Sequence, residues 1–493
     1  MTASFDPNSV AVGRGHFIGG RFLDLPGDEI AVLRPSDHQP MGVIRDGGEE
    51  AVDRAVEAAK AALKASGWSA MPPRERGKVL KRWADAVEHD AVRLARLESA
   101  GSSRPIAQTV GGDVFDLAET IRFYGEYCDK LVGETTATED GVLALIRGEP
   151  YGVVGAITPW NFPFLTAAWK FAPALATGNA VVLKVSEITP FSVLAVAELA
   201  VRAGLPAGLF NVVNGWGHTT GSAIVRHPGI GKVTFTGSSG TGARIMADAA
   251  LHGLKPVSLE LGGKSPQLVL PDIADLDRVA GQIANGILGN AGQVCTAGSR
   301  VIVHSSVADP LVEAVEKRFA KIKAGPTWSE ETDFPPLISL RQAERVERLV
   351  VETIAAGATL RTGGKPFSIG NAGSYFAPTI LEGVTEDMVG FREEFFGPVM
   401  SLQKFDDIEE GIAACDHPTY GLAASVYTSD LARAHKVANA IQAGIVWVNH
   451  HGRAPEFAFP QGGFKASGFG KDMGRAAMEG YLRHKSLWIN YAG

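Results

Sequence analysis

The chain has 493 residues, 45% of them hydrophobic and 20% charged, with a formal net charge of −7 and three cysteines. That length is roughly three domains' worth of globular protein, and the negative balance argues against nucleic acid or an anionic membrane as partner. Apolar runs fall far short of the ~20 residues of a membrane span, residues 1–12 carry no secretory signal pattern, and the sparse, odd set Cys128, Cys295 and Cys415 fits a reducing cytoplasm rather than a disulfide scaffold or a metal site.

In chain order, residues 135–147 read as a hairpin turning at Glu139-Asp140-Gly141. Residues 153–158 form a short apolar run, and 162–177 carry apolar side chains at helical spacing. Residues 180–185 read as a buried parallel strand. Thr189-Pro190 looks like an N-cap and a first-turn proline, for a helix that Gly204 ends. Strands at 209–214 and 232–236 flank a short helix at 221–226, and Gly237-Ser238-Ser239-Gly240 precede a helix expected over 243–250. This βαβαβ rhythm implies a parallel sheet with helices on both faces.

The pattern restarts with a strand at 267–270 and a helix whose Leu276, Val279, Ile283 and Ile287 share one face. Cys295 falls between that helix and a strand at 300–304. Helices at 310–322 and 340–356 and strands at 399–405, 423–427 and 445–448 complete a second α/β unit. The hairpin and the apolar tail 487–491 fit neither unit. Pairing with a neighbouring subunit is the economical expectation for such uncovered strands, and packing against the chain itself is the competitor.

A thiol near a carboxylate can run two-step covalent chemistry, attack on a carbonyl followed by water activation. Cys128 and Cys415 sit in helical patterns and read as buried small hydrophobes. Cys295 lies between Gly292 and Gly298, where backbone N–H groups can approach an oxyanion. Glu260 ends an apolar strand before Gly262-Gly263, so burial would raise its carboxyl toward a general base; a solvated carboxylate, or one paired with Lys264, is the bland reading. Asn161, set between Pro159 and Pro163, either donates to an oxyanion or caps the next helix. The stretch 235–242 runs from strand to helix and offers N–H groups to a diphosphate without matching Gly-x-Gly-x-x-Gly. Lys184 and Glu187 end a strand where an acidic group can hold a ribose hydroxyl and repel a 2′-phosphate.

Seven motifs then occur in one order: Pro159-Trp160-Asn161-Phe162-Pro163, Lys184-x-x-Glu187, Phe235-Thr236-Gly237-Ser238, residues 259–265, residues 292–300, Glu393-Glu394-Phe395-Phe396-Gly397-Pro398, and Gly462-Gly463-Phe464-Lys465-Ala466-Ser467-Gly468. Together they resemble the NAD(P)-dependent aldehyde dehydrogenase superfamily from about residue 15 to the end. The resemblance implies an α/β fold in three parts: a Rossmann-like NAD-binding domain (1–128 and 150–262), an α/β catalytic domain (263–463) and a small β oligomerisation element (129–149 and 478–493). It implies Cys295 as nucleophile, Glu260 as deacylating base, and the Asn161 amide with the Cys295 N–H as oxyanion hole. For the cofactor it implies Trp160, Lys184, Glu187, Gly237, Ser238, Gly262, Glu394 and Phe396, with NAD preferred and NADP possible. Phe162, Thr166, Trp169, Val294, Thr296, Phe459 and Gln461 are the expected substrate tunnel.

Three departures from the family pattern bear on chemistry. Asp472 stands where relatives carry glutamate, which puts a proton relay with Lys170 in question. Gly289 and Gln461 replace aromatics and imply a roomier, more polar tunnel. Semialdehyde-oxidising relatives often carry an arginine near the position of Trp169, and its absence argues against a carboxylate-bearing substrate. The expected partners are an aldehyde and further copies of the chain, as homodimer or homotetramer. A CoA-acylating relative is the first alternative, disfavoured by Glu260, and a catalytically silent protein with the same fold is the second.

Overall fold

The computed structural model describes residues 4–370, 372–453 and 456–492. Residues 1–3, at the head of the stretch without a signal pattern, and Gly493, at the end of the expected oligomerisation element, lie outside the described residues. Two α/β sheets form the body. In the first, parallel strands Phe210–Val213, Ala180–Lys184, Val153–Ile157, Lys232–Thr236 and Val257–Glu260 lie side by side in that order. His16–Ile18, itself flanked by the edge strand Arg21–Leu23, and Gly468–Phe469 add antiparallel strands on the two sides. Strand order therefore reverses between Val153–Ile157 and Lys232–Thr236, and a doubly wound sheet binds ligands at the carboxyl ends beside such a reversal. The runs Val181-Val182-Leu183 and Val153-Val154 are buried throughout because helices cover both faces.

The second sheet runs Thr359–Thr362, Thr379–Glu382, Val399–Phe405, Arg300–His304, Pro266–Val269, Ala423–Tyr427 and Ile445–Val448, parallel except at its first edge. Only residues 261–265 join the last parallel strand of the first sheet, Val257–Glu260, to Pro266–Val269 of the second. The seam between the sheets is thus built from the strand ends that carry Glu260 and the turn that carries Cys295. Among the described residues no helix is long and apolar enough to cross a membrane.

A third sheet has three antiparallel strands, Leu482–Asn490, Val142–Pro150 and Glu134–Thr136. The chain's own tail pairs along all of Val142–Pro150, so its own hairpin covers one of its edges, while Trp488 and Tyr491 remain 68% exposed. Two helices start earlier than their sequence patterns suggest. Ser238 caps Ser239–Leu251 by accepting the Thr241 N–H, which draws the glycines into the first turn. Ser305–Phe319 starts ahead of Pro310, with His304 accepting from the Ser306 N–H. The helix after Thr189-Pro190 instead starts at Phe191, with Pro190 itself at the cap.

The helix Pro163–Ala176 packs deep in the first core, where Phe171 stacks on Trp83 with ring centroids 4.8 Å apart. Its first turn is held by Glu98, whose Oε1 accepts the Phe164 N–H at 3.2 Å. Burial pushes the Glu98 carboxyl up to about 8 from an ordinary 4.5. The folded chain therefore keeps a proton that the unfolded chain releases, and this contribution to stability is lost as pH rises from the unfolded value through the folded one. The loss is on the order of 4 kcal/mol. Glu98→Gln should flatten that part of the pH dependence; urea midpoints of both proteins compared at about pH 5 and 8 read the difference.

Candidate active site

Glu260 is the last residue of its strand, and its carbonyl accepts the Gly237 N–H at 3.0 Å. Its Oε1 is buried without a hydrogen-bond partner among the described residues. A Cβ at Gly462 would come within 2.7 Å of that oxygen, so only glycine lets this backbone close over the carboxyl. Burial, then the negative charge of Asp472, holds the Glu260 carboxyl well above the ordinary carboxylate range, while Lys170 and Lys471 pull it down. Lys264 does not pair with it. That side chain donates to the Glu393 carbonyl and lies 3.9 Å from the Phe395 ring centroid.

Cys295 follows a turn in which Asn290 (φ 49°), Ala291 (φ 51°) and Gly292 (φ 72°) are all left-handed. Two non-glycine residues in that region are strained, and hydrogen bonds hold them. The Asn290 Nδ2 donates to the Asn161 carbonyl at 2.9 Å, and the Asn161 Nδ2 donates back to the Gln293 carbonyl at 2.9 Å. The Gln293 side chain accepts the Ile338 N–H at 2.8 Å and donates to the Asn290 carbonyl at 3.0 Å. Asn161 is thus tied to the cysteine turn, with the second N–H of its amide left over. Burial, then the charges of Glu394 and Glu260, pushes the Cys295 thiol up to about 12.

Gly298 does not offer its N–H to the site, because that group donates to the Gly286 carbonyl at 3.1 Å. Its lack of a side chain serves packing, since a Cβ there would stand 2.1 Å from the Gln267 amide. Cys128 and Cys415 are buried, their thiols donating to the Tyr124 and Gly411 carbonyls.

One cavity of about 630 Å³ joins these groups. Cys295, Glu260 and Asn161 border it, as do Trp160, Gly237, Ser238, Gly262, Glu394 and Phe396. From the expected tunnel, Phe162, Thr166, Trp169, Val294, Thr296 and Gln461 line the same wall. Phe459 is not among its lining residues and is 43% exposed. A Cβ added at Gly289 would meet nothing within 4 Å, so the wall is open there.

The fit of a dinucleotide rests on several features of this wall. Gly262 leaves the space that a Cβ, 2.4 Å from Glu394 Oε2, would fill. The buried Thr236 hydroxyl has no partner among the described residues, and the N-terminus of Ser239–Leu251 opens beside it. Glu394 accepts the Gly263 N–H at 3.1 Å, and burial pushes its carboxyl up to about 7. Phe396, at φ 51°, presents an edge-to-face contact to Trp160 with centroids 5.2 Å apart. Lys184 and Glu187 pair at 3.1 Å at their strand end, away from the cavity wall.

Lys170 and Asp472 form a buried ion pair with contacts of 2.8 and 2.7 Å, so the shorter acid still reaches its lysine. Lys232 lies near this pair; burial first, and then the positive charge of Lys170, bring its ammonium down to about 8. Sequence reasoning missed residues that hold the site in place, two of which, Gln342 and Arg345, also border the cavity. Asn290 and Gln293 fix the cysteine turn, while Gln342 and Arg345 donate to the carbonyls of Phe396, Phe395 and Glu394. Their only sequence signal is an amide or guanidinium facing carbonyls across long separations, which a single chain does not reveal.

Comparison with known proteins identifies the family. Residues 23–487 match the aldehyde dehydrogenase family. An aldehyde dehydrogenase-like protein of Schizosaccharomyces pombe is 42% identical over 97% of this chain and 94% of its own length. An aldehyde dehydrogenase of Aspergillus niger is 40% identical, over 98% and 96%. A solved indole-3-acetaldehyde dehydrogenase in complex with NAD+ superposes with a TM-score of 0.96 at 38% identity, covering 98% of each chain. With strands, motifs and site residues in this arrangement, the chain belongs to the aldehyde dehydrogenase family.

Proposed function

We propose that Cys295 is the nucleophile with which this NAD-dependent enzyme oxidises an aldehyde to its carboxylic acid, and that Glu260 is the base that ends the cycle. The observation that carries this reading is the convergence of Cys295, Glu260 and Asn161 from three separate segments on one cavity. Bound NAD+ supplies the two-electron acceptor that the oxidation needs. Gly237, Ser238 and Gly262 would hold its diphosphate side, Lys184 and Glu187 the adenine ribose, and Glu394, Phe396 and Trp160 the nicotinamide side.

The resting thiol is protonated, because burial among carboxylates disfavours the thiolate. Attack on the aldehyde carbon forms the C–S bond and breaks the carbonyl π bond, while the thiol's proton passes to solvent water. The carbonyl oxygen becomes an oxyanion, which the free N–H of the Asn161 amide and the Cys295 backbone N–H accommodate as a thiohemiacetal. Once that carbon is oxidised to a thioester, Glu260 takes a proton from water, the hydroxide adds, and collapse expels the thiolate with release of the acid. The carboxyl freed of solvent, with an unpartnered oxygen, suits this task because its proton affinity is high. The Asp472–Lys170 pair is placed to set that affinity.

The first sheet with residues 1–128 and 150–262 reads as the cofactor domain, and the second, in 263–463, as the catalytic one. The open side of the tail strand, with Trp488 and Ile489 exposed, supports a homodimer or homotetramer joined there. Free buried thiols at Cys128 and Cys415 suit the cytoplasm.

Cys295→Ala should abolish NADH formation while NAD+ still binds by calorimetry; surviving turnover would take the thiol out of the chemistry. In Glu260→Gln an acyl adduct on Cys295 should accumulate by mass spectrometry, with steady-state turnover down roughly 10²–10⁴-fold. Since the base must be ionised, wild-type kcat should fall as pH drops through the raised Glu260 value, above the usual glutamate range. An acidic limb at an ordinary glutamate pKa would contradict the assignment. NADH should form without added CoA. Glu187→Gln should shift the ratio of kcat/KM toward NADP+, and an unchanged ratio would detach Glu187 from cofactor choice.

A further inference from the structure

The cavity wall carries charged groups that the oxidation does not use. Arg104, Asp113, Asp116 and Arg453 all border it, close to Phe162 and Trp169. Arg104 turns one edge of its guanidinium to Asp113, Nε and Nη2 donating to its two oxygens at 2.7 and 2.9 Å, and lies over the Phe162 ring. Arg453 instead donates through Nη1 to Asp116 at 2.8 Å, and its guanidinium lies 5.7 Å from the Trp169 ring centroid and 5.5 Å from that of Phe457. Its Nε and Nη2 are shielded from solvent and have no acceptor among the described residues, and the same holds for the indole N–H of Trp169.

Buried donors without acceptors are costly, and native proteins rarely keep several together without use. Here one guanidinium edge and the ring it covers leave three such donors on a cavity that also holds the reactive thiol. Asp116 and the two rings fix the plane of the guanidinium, so its free edge is pre-organised for a planar acceptor pair. On this part of the wall, Asp113 and Asp116 are each paired with an arginine, so neither is a free anion beside the Arg453 edge.

We propose that Arg453, with the Trp169 N–H, is the specificity subsite for a distal carboxylate, and that the preferred substrates are aldehydes with a terminal carboxylate. The proposal rests on the assignment of this cavity to aldehyde oxidation. It reverses the sequence expectation drawn from the lack of an arginine at Trp169. The arginine arrives instead from the segment after the strand Ile445–Val448 and lies against Trp169 itself.

The test is kcat/KM of the full-length enzyme with NAD+ for straight-chain aldehydes of matched length ending in carboxylate, hydroxyl, ammonium or methyl. The carboxylate should be favoured over the methyl by about tenfold or more, the scale of a charge-assisted pair. Arg453→Gln should cut that carboxylate-to-methyl ratio by about 10–100-fold, through KM rather than kcat, and Trp169→Phe should cut it by less. A wild-type preference for the hydroxyl, ammonium or methyl aldehyde overturns the proposal, and so does an unchanged ratio in Arg453→Gln. Glutarate binding to the NAD+-saturated wild-type enzyme, read by calorimetry, needs no variant and no turnover. Absence of turnover on all four aldehydes would defeat the oxidation reading, whereas absence of glutarate binding would defeat the subsite alone.

Discussion

The site depends on the reciprocal hydrogen bonds between Asn161 and the turn at 290–293. Asn161 leaves the first sheet at the point where strand order reverses, and the turn enters the second sheet just before Arg300–His304. Two donor–acceptor pairs of 2.9 Å, running in opposite directions, tie these edges together. They also hold Asn290 and Ala291 in a left-handed backbone that neither would adopt alone. The turn so held leads directly to Cys295, which borders the cavity. The spare N–H of Asn161 is a by-product of that clamp, since the first is already committed.

The electrostatics follow from enclosure. Glu260, Glu394 and the Cys295 thiol all hold their protons more tightly than in water, and burial is the largest cause in each case. Burial and like charge act together here, because Glu394 and Glu260 both raise the thiol. A site so enclosed disfavours negative charge on each of these three groups. The ion pair of Lys170 and Asp472, sealed beneath it, places fixed charges that act on Glu260 from one side. The buried Lys232 next to them loses proton affinity through the same enclosure and the like charge of Lys170.

Much of this was legible in the chain, and the reasons are local. Runs such as Val181-Val182-Leu183 announce strands covered on both faces, and the glycines around Glu260 and Cys295 mark where backbone must come close. What could not be read was whatever depends on distant segments meeting. The glycines at 240 and 242 looked like loop, but the Ser238 side chain caps them into a helix. Gly298 looked like an oxyanion donor, but its N–H belongs to Gly286 and its missing side chain to Gln267. Phe459 stands in a suitable stretch of sequence, yet it is exposed and does not border the cavity. Arg453 carried no signal of its own, because its meaning comes from lying on Trp169.

The tail strand has a consequence for biosynthesis. Residues 482–490 pair with 142–150, and Leu259 and Glu260 take their outer neighbours from 468–469. Both pairings join segments separated by hundreds of residues, so the second half of each emerges from the ribosome well after the first. Until then the hairpin keeps a bare edge exposed, and the strand bearing Glu260 lacks its flank, an invitation to stray pairing in a crowded cell. The strand bearing Glu260 therefore gains its outer neighbour only after residues 468–469 have emerged.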